Sequence, residues 1–174
     1  MVIGRVFRRG LVAAALVAGG AASANAEHLR IEIKVFGMDC ATCAHGLTVA
    51  MKKLEGVETV DISLNKSAAQ LTLREGNRVT IDQLRTIIKR NGFTPKEAVV
   101  TTIAVPARKG GDVVLEVRGQ PSTMTVAPGS TPAAIKTLTE AAASAPAPQV
   151  VSGTISQKAD GAEQIVVASA APKP

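Results

Sequence analysis

The chain has 174 residues, room for one or two small domains, and a formal net charge of +6 at pH 7. The positive excess is spread along the sequence, and with three Phe, no Trp and no Tyr there is no stacking platform for bases, so nucleic-acid binding is excluded. No Ser-His-Asp set, carboxylate pair or phosphate loop stands out, so the protein is not expected to be an enzyme.

The first element is a leader. Arg5, Arg8 and Arg9 form a basic start, Leu11 to Ala22 an apolar run, and Ala24-Asn25-Ala26 a small-x-small cleavage pattern. Together they predict a secretory signal peptide over residues 1–26. The apolar run is shorter than the roughly 20 residues of a spanning helix. Loss of the leader's three arginines lowers the formal charge from +6 to +3. The expectation is an exported protein, periplasmic in a Gram-negative source, with no stable membrane insertion after cleavage.

Residues 29–35 alternate, with Leu29, Ile31, Ile33 and Val35 on one face and Arg30, Glu32 and Lys34 on the other, which predicts a half-buried strand. From Ala41 the spacing changes: Leu47, Ala50, Met51 and Leu54 form one stripe of an amphipathic helix, closed by Gly56 at its C′ position. Residues 57–74 read as a hairpin turning at Asn65-Lys66-Ser67. Thr80 and Gln83 form a capping box for a second helix, whose core face is Ile81, Leu84, Ile87 and Ile88. Asn91-Gly92 stops it, and residues 97–105 favour a last strand. The order β-α-β-β-α-β is the split βαβ, or ferredoxin-like, sandwich of an α+β domain, assigned to residues 27–105.

Arg108-Lys109-Gly110-Gly111 reads as a linker. Beyond it, strands are expected over 112–118, 122–127, 150–156 and 164–169. One helix is expected from Thr131 as N-cap with Pro132 at its first position, and with Ile135 and Leu138 as its apolar contacts. Asp160-Gly161 marks a hairpin turn. Residues 106–170 are therefore a small β-rich unit with one helix, and 171–174 a disordered tail.

The two cysteines, Cys40 and Cys43, lie between the first strand and the first helix in "GMDCATC". Cys40 falls in the loop and Cys43 in the first helical turn, where free N–H groups and the helix dipole favour thiolate. A disulfide at this spacing closes too small a loop to constrain the unfolded chain much. Two small-flanked thiolates make an open, soft, dianionic site for Cu(I), Hg(II), Zn(II) or Cd(II). Two ligands suit a near-linear Cu(I) or Hg(II) and leave a zinc-like ion undercoordinated.

"GMDCATC" after a strand, then a helix, "LEGVETVDISL", a second strand and "LRTIIKRNGF", together resemble the heavy-metal-associated domain family of copper chaperones, periplasmic mercury-binding proteins and the N-terminal domains of metal-exporting ATPases. The resemblance spans about residues 29–105 and gives nothing for 106–174. It implies a ferredoxin-like fold with the ion held by Cys40 and Cys43, Met38 packed inward beneath the loop, and Phe93 beside the site. Its implied partners are one soft ion, Cu(I), Hg(II) or Zn(II), and a membrane metal transporter or other metal-handling protein. Asp39 stands where relatives that export divalent ions use an acid as an extra ligand, so Asp39 is a third candidate donor, with a loop acid or helix cap as its other reading.

His45 follows Cys43 by two, about 200° away on a helix, and is expected to point elsewhere. His28 is expected to fray at the mature N-terminus. Lys52, Lys53, Lys89 and Arg90, at the helix ends, form a solvated face or a docking patch for an acidic partner. The expected function is capture of a thiophilic ion and its release by ligand exchange, as a metallochaperone or scavenger. The alternatives are a sensor or assembly protein that acts through the C-terminal unit, and a thiol-disulfide oxidoreductase using the same Cys-x-x-Cys.

Overall fold

The computed structural model describes residues 27–117, 120, 123–144, 147–158 and 161–174. The expected leader at 1–26 and Asp160 of the expected hairpin turn lie outside the described residues.

Alternation in the first segment gives β1 (Glu27–Phe36), which buries Ile31, Ile33 and Val35 and pairs Glu32 with Lys34 at 3.3 Å on its other face. Helix α1 (Ala41–Lys52) lays Leu47 and Met51 on the sheet. The hairpin of β2 (Val57–Ser63) and β3 (Ala68–Leu73) turns at Ser67, which has φ 45° and donates its amide to Leu64 O at 3.0 Å. Helix α2 (Ile81–Arg90) starts at the expected capping box: Thr80 N–H donates to Gln83 Oε1 at 2.9 Å, and Gln83 N–H to Thr80 Oγ1 at 3.1 Å. The last strand of this half is β4 (Thr94–Lys109). Strand order is β2-β3-β1-β4 with every neighbour antiparallel, the ferredoxin-like arrangement with both helices over one face. Leu47, Met51, Leu84 and Ile88 are fully buried in one cluster with Ile31 and Ile33, each stabilising the fold by about 1.5–3 kcal/mol.

Gly56 is not a helix terminator. α1 ends at Lys52 with Lys53 as its C-cap, and Gly56 turns the chain into β2 at φ +91°. A Cβ there would lie 2.6 Å from Asn77 Cβ, so close approach as well as conformation requires glycine.

The linker expected at 108–111 is a hairpin turn. β4 runs unbroken past residue 105 to Lys109, and Gly110 and Gly111, both at positive φ, reverse it into β5 (Asp112–Glu116). Pro106 is tolerated because it lies beyond the start of β7 (Gln149–Gln157), whose first residue pairs with Ala104. β5 pairs with β6 (Met124–Val126), β6 runs parallel to β8 (Glu163–Pro172), β8 pairs with β7, and β7 returns to β4. Five strands therefore close on themselves, leaving β4 beside Ala107 and rejoining it beside Ala98. Helix α3 (Pro132–Ala143) connects β6 to β7 and packs on β4 and β8. This is a small Greek-key barrel of the OB type, and it shares β4 with the ferredoxin-like half. One hydrophobic cluster runs through both, from Ile31 to Val167.

Helix α3 has the expected Thr131 cap and Pro132 start, but its buried residues are Ala134 and Leu138, and Ile135 is 41% exposed. The expected tail is partly strand: Ala171 pairs with Val150 and Pro172 with Gln149, where a strand's last residue needs no further donor. Arg85 on α2 ties the halves further, donating to Glu163 Oε1 of β8 at 2.7 Å with both side chains buried.

Candidate metal centre

β1 delivers the chain to the site, and Gly37 at φ +89° bends it away from the sheet. Met38 is 2% exposed and belongs to the core cluster, so it anchors the loop from below as expected. Asp39 and Cys40 are left on the surface. Cys40 is the N-cap of α1, in extended conformation, and its Sγ accepts the Cys43 N–H at 3.1 Å. The Ala44 amide closes the first helical turn onto Cys40 O at 3.1 Å. A sulfur thus fills the role usually taken by a Ser or Asp oxygen. The first turn of α1 carries no acidic side chain, so none within the helix offsets its positive end beside that sulfur. Sequence reasoning aimed the helix donors at Cys43; here Cys43 supplies the donor and Cys40 receives it.

Cys40 and Cys43 are joined as a disulfide, with Cys40 exposed and Cys43 half-buried. A disulfide sulfur is a poor ligand, since thiolate is the metal-binding species. Both sulfurs lie at the start of α1, Cys40 as its N-cap and Cys43 in its first turn.

Phe93 supports the loop. It is half-buried against the core, its amide donates to Ile88 O at 3.1 Å, and a Cβ placed on Gly37 would lie 4.0 Å from its ring. Two further residues at this end escaped sequence reasoning. Phe36 is 68% exposed, and Lys96 Nζ sits 5.7 Å from its ring centroid. The available signal was parity: with Ile31, Ile33 and Val35 inward, Phe36 falls on the outer face.

The other candidates separate. His45 is exposed, as expected. Asp39 is exposed, directly before Cys40. It is not the helix cap, a role taken by Cys40. His28 is not frayed: it lies within β1 opposite Thr102, is 1% exposed, and shares a 2.7 Å hydrogen bond between its Nε2 and Gln120 Nε2. Burial lowers its pKa to about 4. The basic patch divides because α1 leads away from the end of β1 and α2 leads back to it. Lys89 and Arg90 therefore lie toward the cysteine loop, and Lys52 and Lys53 at the far end.

The sequence profile of the heavy-metal-associated domain matches residues 32–94. The copper chaperone CopZ of Staphylococcus saprophyticus is 33% identical over 64 residues, covering 37% of this chain and 93% of the chaperone. Among solved structures, the yeast copper transporter domain Ccc2a, studied in apo and Cu(I)-loaded states, is 33% identical and matches 38% of this chain and 90% of its own, with a TM-score of 0.36. Oxidized MerP from Ralstonia metallidurans CH34 is 24% identical, with a TM-score of 0.35 over 38% of this chain and 90% of its own. With the Staphylococcus chaperone covered almost end to end at this identity, the chain belongs to the heavy-metal-associated domain family.

Proposed function

We propose that this protein is an exported, non-enzymatic carrier that captures one thiophilic ion between the reduced sulfurs of Cys40 and Cys43 and passes it on by ligand exchange. The observation that carries this reading is the pairing of the two sulfurs at the exposed N-terminus of α1, with the Cys43 amide aimed at Cys40 Sγ. Two electrons and two protons from a thiol reductant convert the disulfide to two thiols. Metal binding then displaces the thiol protons. The helix terminus favours the resulting negative charge, and Met38 and Phe93 hold the loop from the protein side. An open two-sulfur shell lets an incoming thiolate attack while one original ligand still holds. Cu(I) is the favoured cargo because two soft donors complete its near-linear preference, as they do for Hg(II), whereas Zn(II) needs further ligands.

The acceptor would be a membrane transporter or another metal-handling protein, approaching the end that carries Phe36, Lys89, Arg90 and Lys96. Anaerobic Cu(I) titration of the reduced protein tests the reading. One equivalent should bind tightly in the wild type and not in the Cys40→Ser, Cys43→Ser variant. Undiminished stoichiometric binding by that variant sinks the site, and robust disulfide-reductase turnover without metal affinity favours the oxidoreductase instead.

A further inference from the structure

We infer that the end of the protein that carries the cysteine loop docks on an anionic phospholipid bilayer, through side chains that take no part in holding metal. Phe36 closes β1 and, at 68% exposure, is the most exposed of the large hydrophobic residues described. A ring left in water to that extent forgoes most of the free energy of burial. The β2–β3 turn reaches the same end of the sheet: the Val35 amide donates to Ser67 O at 2.8 Å, and Lys34 Nζ to Lys66 O at 3.4 Å. That turn adds Leu64, 37% exposed, and the exposed Lys66. Lys96 Nζ lies 5.7 Å from the centroid of the Phe36 ring. Lys96 also lines a groove of about 250 Å³, together with Arg85, Lys89, Glu97 and Ser156.

Charge and pattern select a lipid surface. Lys34 of β1, Lys66 of the turn, Lys89 and Arg90 of α2 and Lys96 of β4 all come to this end. The carboxylates there are Glu32, Asp39 and Glu97, and Glu32 is already held by Lys34 at 3.3 Å and by Gln70 at 2.6 Å. The excess is positive and complements anionic headgroups, where each Lys or Arg strengthens binding about fivefold. A protein interface has a packed apolar centre inside a polar rim. Phe36 and Leu64 are instead single apolar side chains set among cations. In that arrangement the apolar groups enter the acyl boundary while the ammonium groups stay level with the phosphates. The groove between Lys89 and Lys96 is open to a headgroup phosphate. Two apolar side chains hold far less firmly than a spanning helix, so the contact is peripheral and reversible. It turns the loop that follows Phe36 toward the membrane.

The chain has no Trp and no Tyr, so one introduced indole reports its own surroundings. The test titrates the full-length Phe36→Trp protein with vesicles of phosphatidylglycerol bearing brominated acyl chains, and with matching vesicles of phosphatidylcholine. The indole emission should move to the blue and be quenched by the anionic vesicles alone, and high salt should reverse the effect. An indole placed on the barrel by Ile135→Trp should respond to neither, which separates docking of this end from recruitment by any other segment. Within the Phe36→Trp protein, Lys66→Gln and Lys96→Gln should each weaken vesicle binding about fivefold. Phe36→Ser, read by vesicle co-sedimentation against the wild type, should weaken it about tenfold or more; the lysine variants keep the test decisive if that variant unfolds. The inference is overturned by an unshifted Phe36→Trp indole, by equal response to both lipids, by equal quenching of the Ile135→Trp indole, or by undiminished binding in both lysine variants. It is equally overturned if poly-glutamate shifts the Phe36→Trp indole and the vesicles do not, which would make the partner an acidic protein surface. The Cys40→Ser, Cys43→Ser variant should dock as the wild type does, so loss of the metal assignment would leave this result standing.

Discussion

Lowering the pH from 7 to 5 should destabilise this protein through His28. Its side chain is buried in β1 opposite Thr102 and bonded to Gln120, and its Nδ1 has no partner among the described residues. Desolvation alone lowers its pKa from 6.5 to about 4. The unfolded chain therefore takes up a proton that the folded chain refuses between those values, so stability is full above pH 6.5 and is lost as pH falls toward 4. Linkage with these two values gives a loss of about 2 kcal/mol between pH 7 and pH 5. Glu32, whose pKa is lowered by its hydrogen bond from Gln70 and by Lys34, contributes its own loss only below the ordinary carboxylate range. The two windows are thus separable. Urea unfolding of the wild type and of His28→Gln at half-unit pH steps measures the effect. The variant should be less stable at pH 7 but nearly flat from pH 7 to 5. An equal slope in both proteins would refute the assignment to His28.

Arg85→Met should cost about 3–5 kcal/mol by leaving Glu163 buried and unpaired, and adding Glu163→Leu should restore most of that; additive losses in urea unfolding would show that the pair does not couple α2 to the barrel. Gly56→Ala should cost clearly more than Gly76→Ala, because both have positive φ but only Gly56 meets Asn77 at 2.6 Å, Gly76 facing open space; equal unfolding midpoints for the two variants would contradict this packing argument.

The first half of the fold was legible because its signals are local. Alternation at Ile31, Ile33 and Val35, the Thr80–Gln83 box and the helical stripe of Leu47 and Met51 each act within a few residues, and all three recur in the structure. The Cys-x-x-Cys loop was legible for the same reason, down to the inward Met38. What failed was non-local. Pro106 and the Gly110-Gly111 pair resemble breakers, yet one occupies a strand beyond its neighbour's start and the other makes a tight turn, so β4 is shared by both halves. The burial of His28 depends on Gln120, 92 positions away, and no periodicity in β1 reports it. Helix α3 packs on β4 and β8 through Ala134 and Leu138 and leaves Ile135 exposed, a choice that sequence spacing alone does not encode. Lys52 and Lys53 were grouped with Lys89 and Arg90 by helix position, and the opposed directions of α1 and α2 part them.

X-ray absorption at the copper edge, on reduced full-length protein loaded with one equivalent of Cu(I), tests metal capture by Cys40 and Cys43 most directly. The expected first shell is two sulfurs and nothing else, and it disappears in the Cys40→Ser, Cys43→Ser variant. A shell of nitrogen or oxygen donors, or a sulfur shell that persists in that variant, would contradict the assignment of the site.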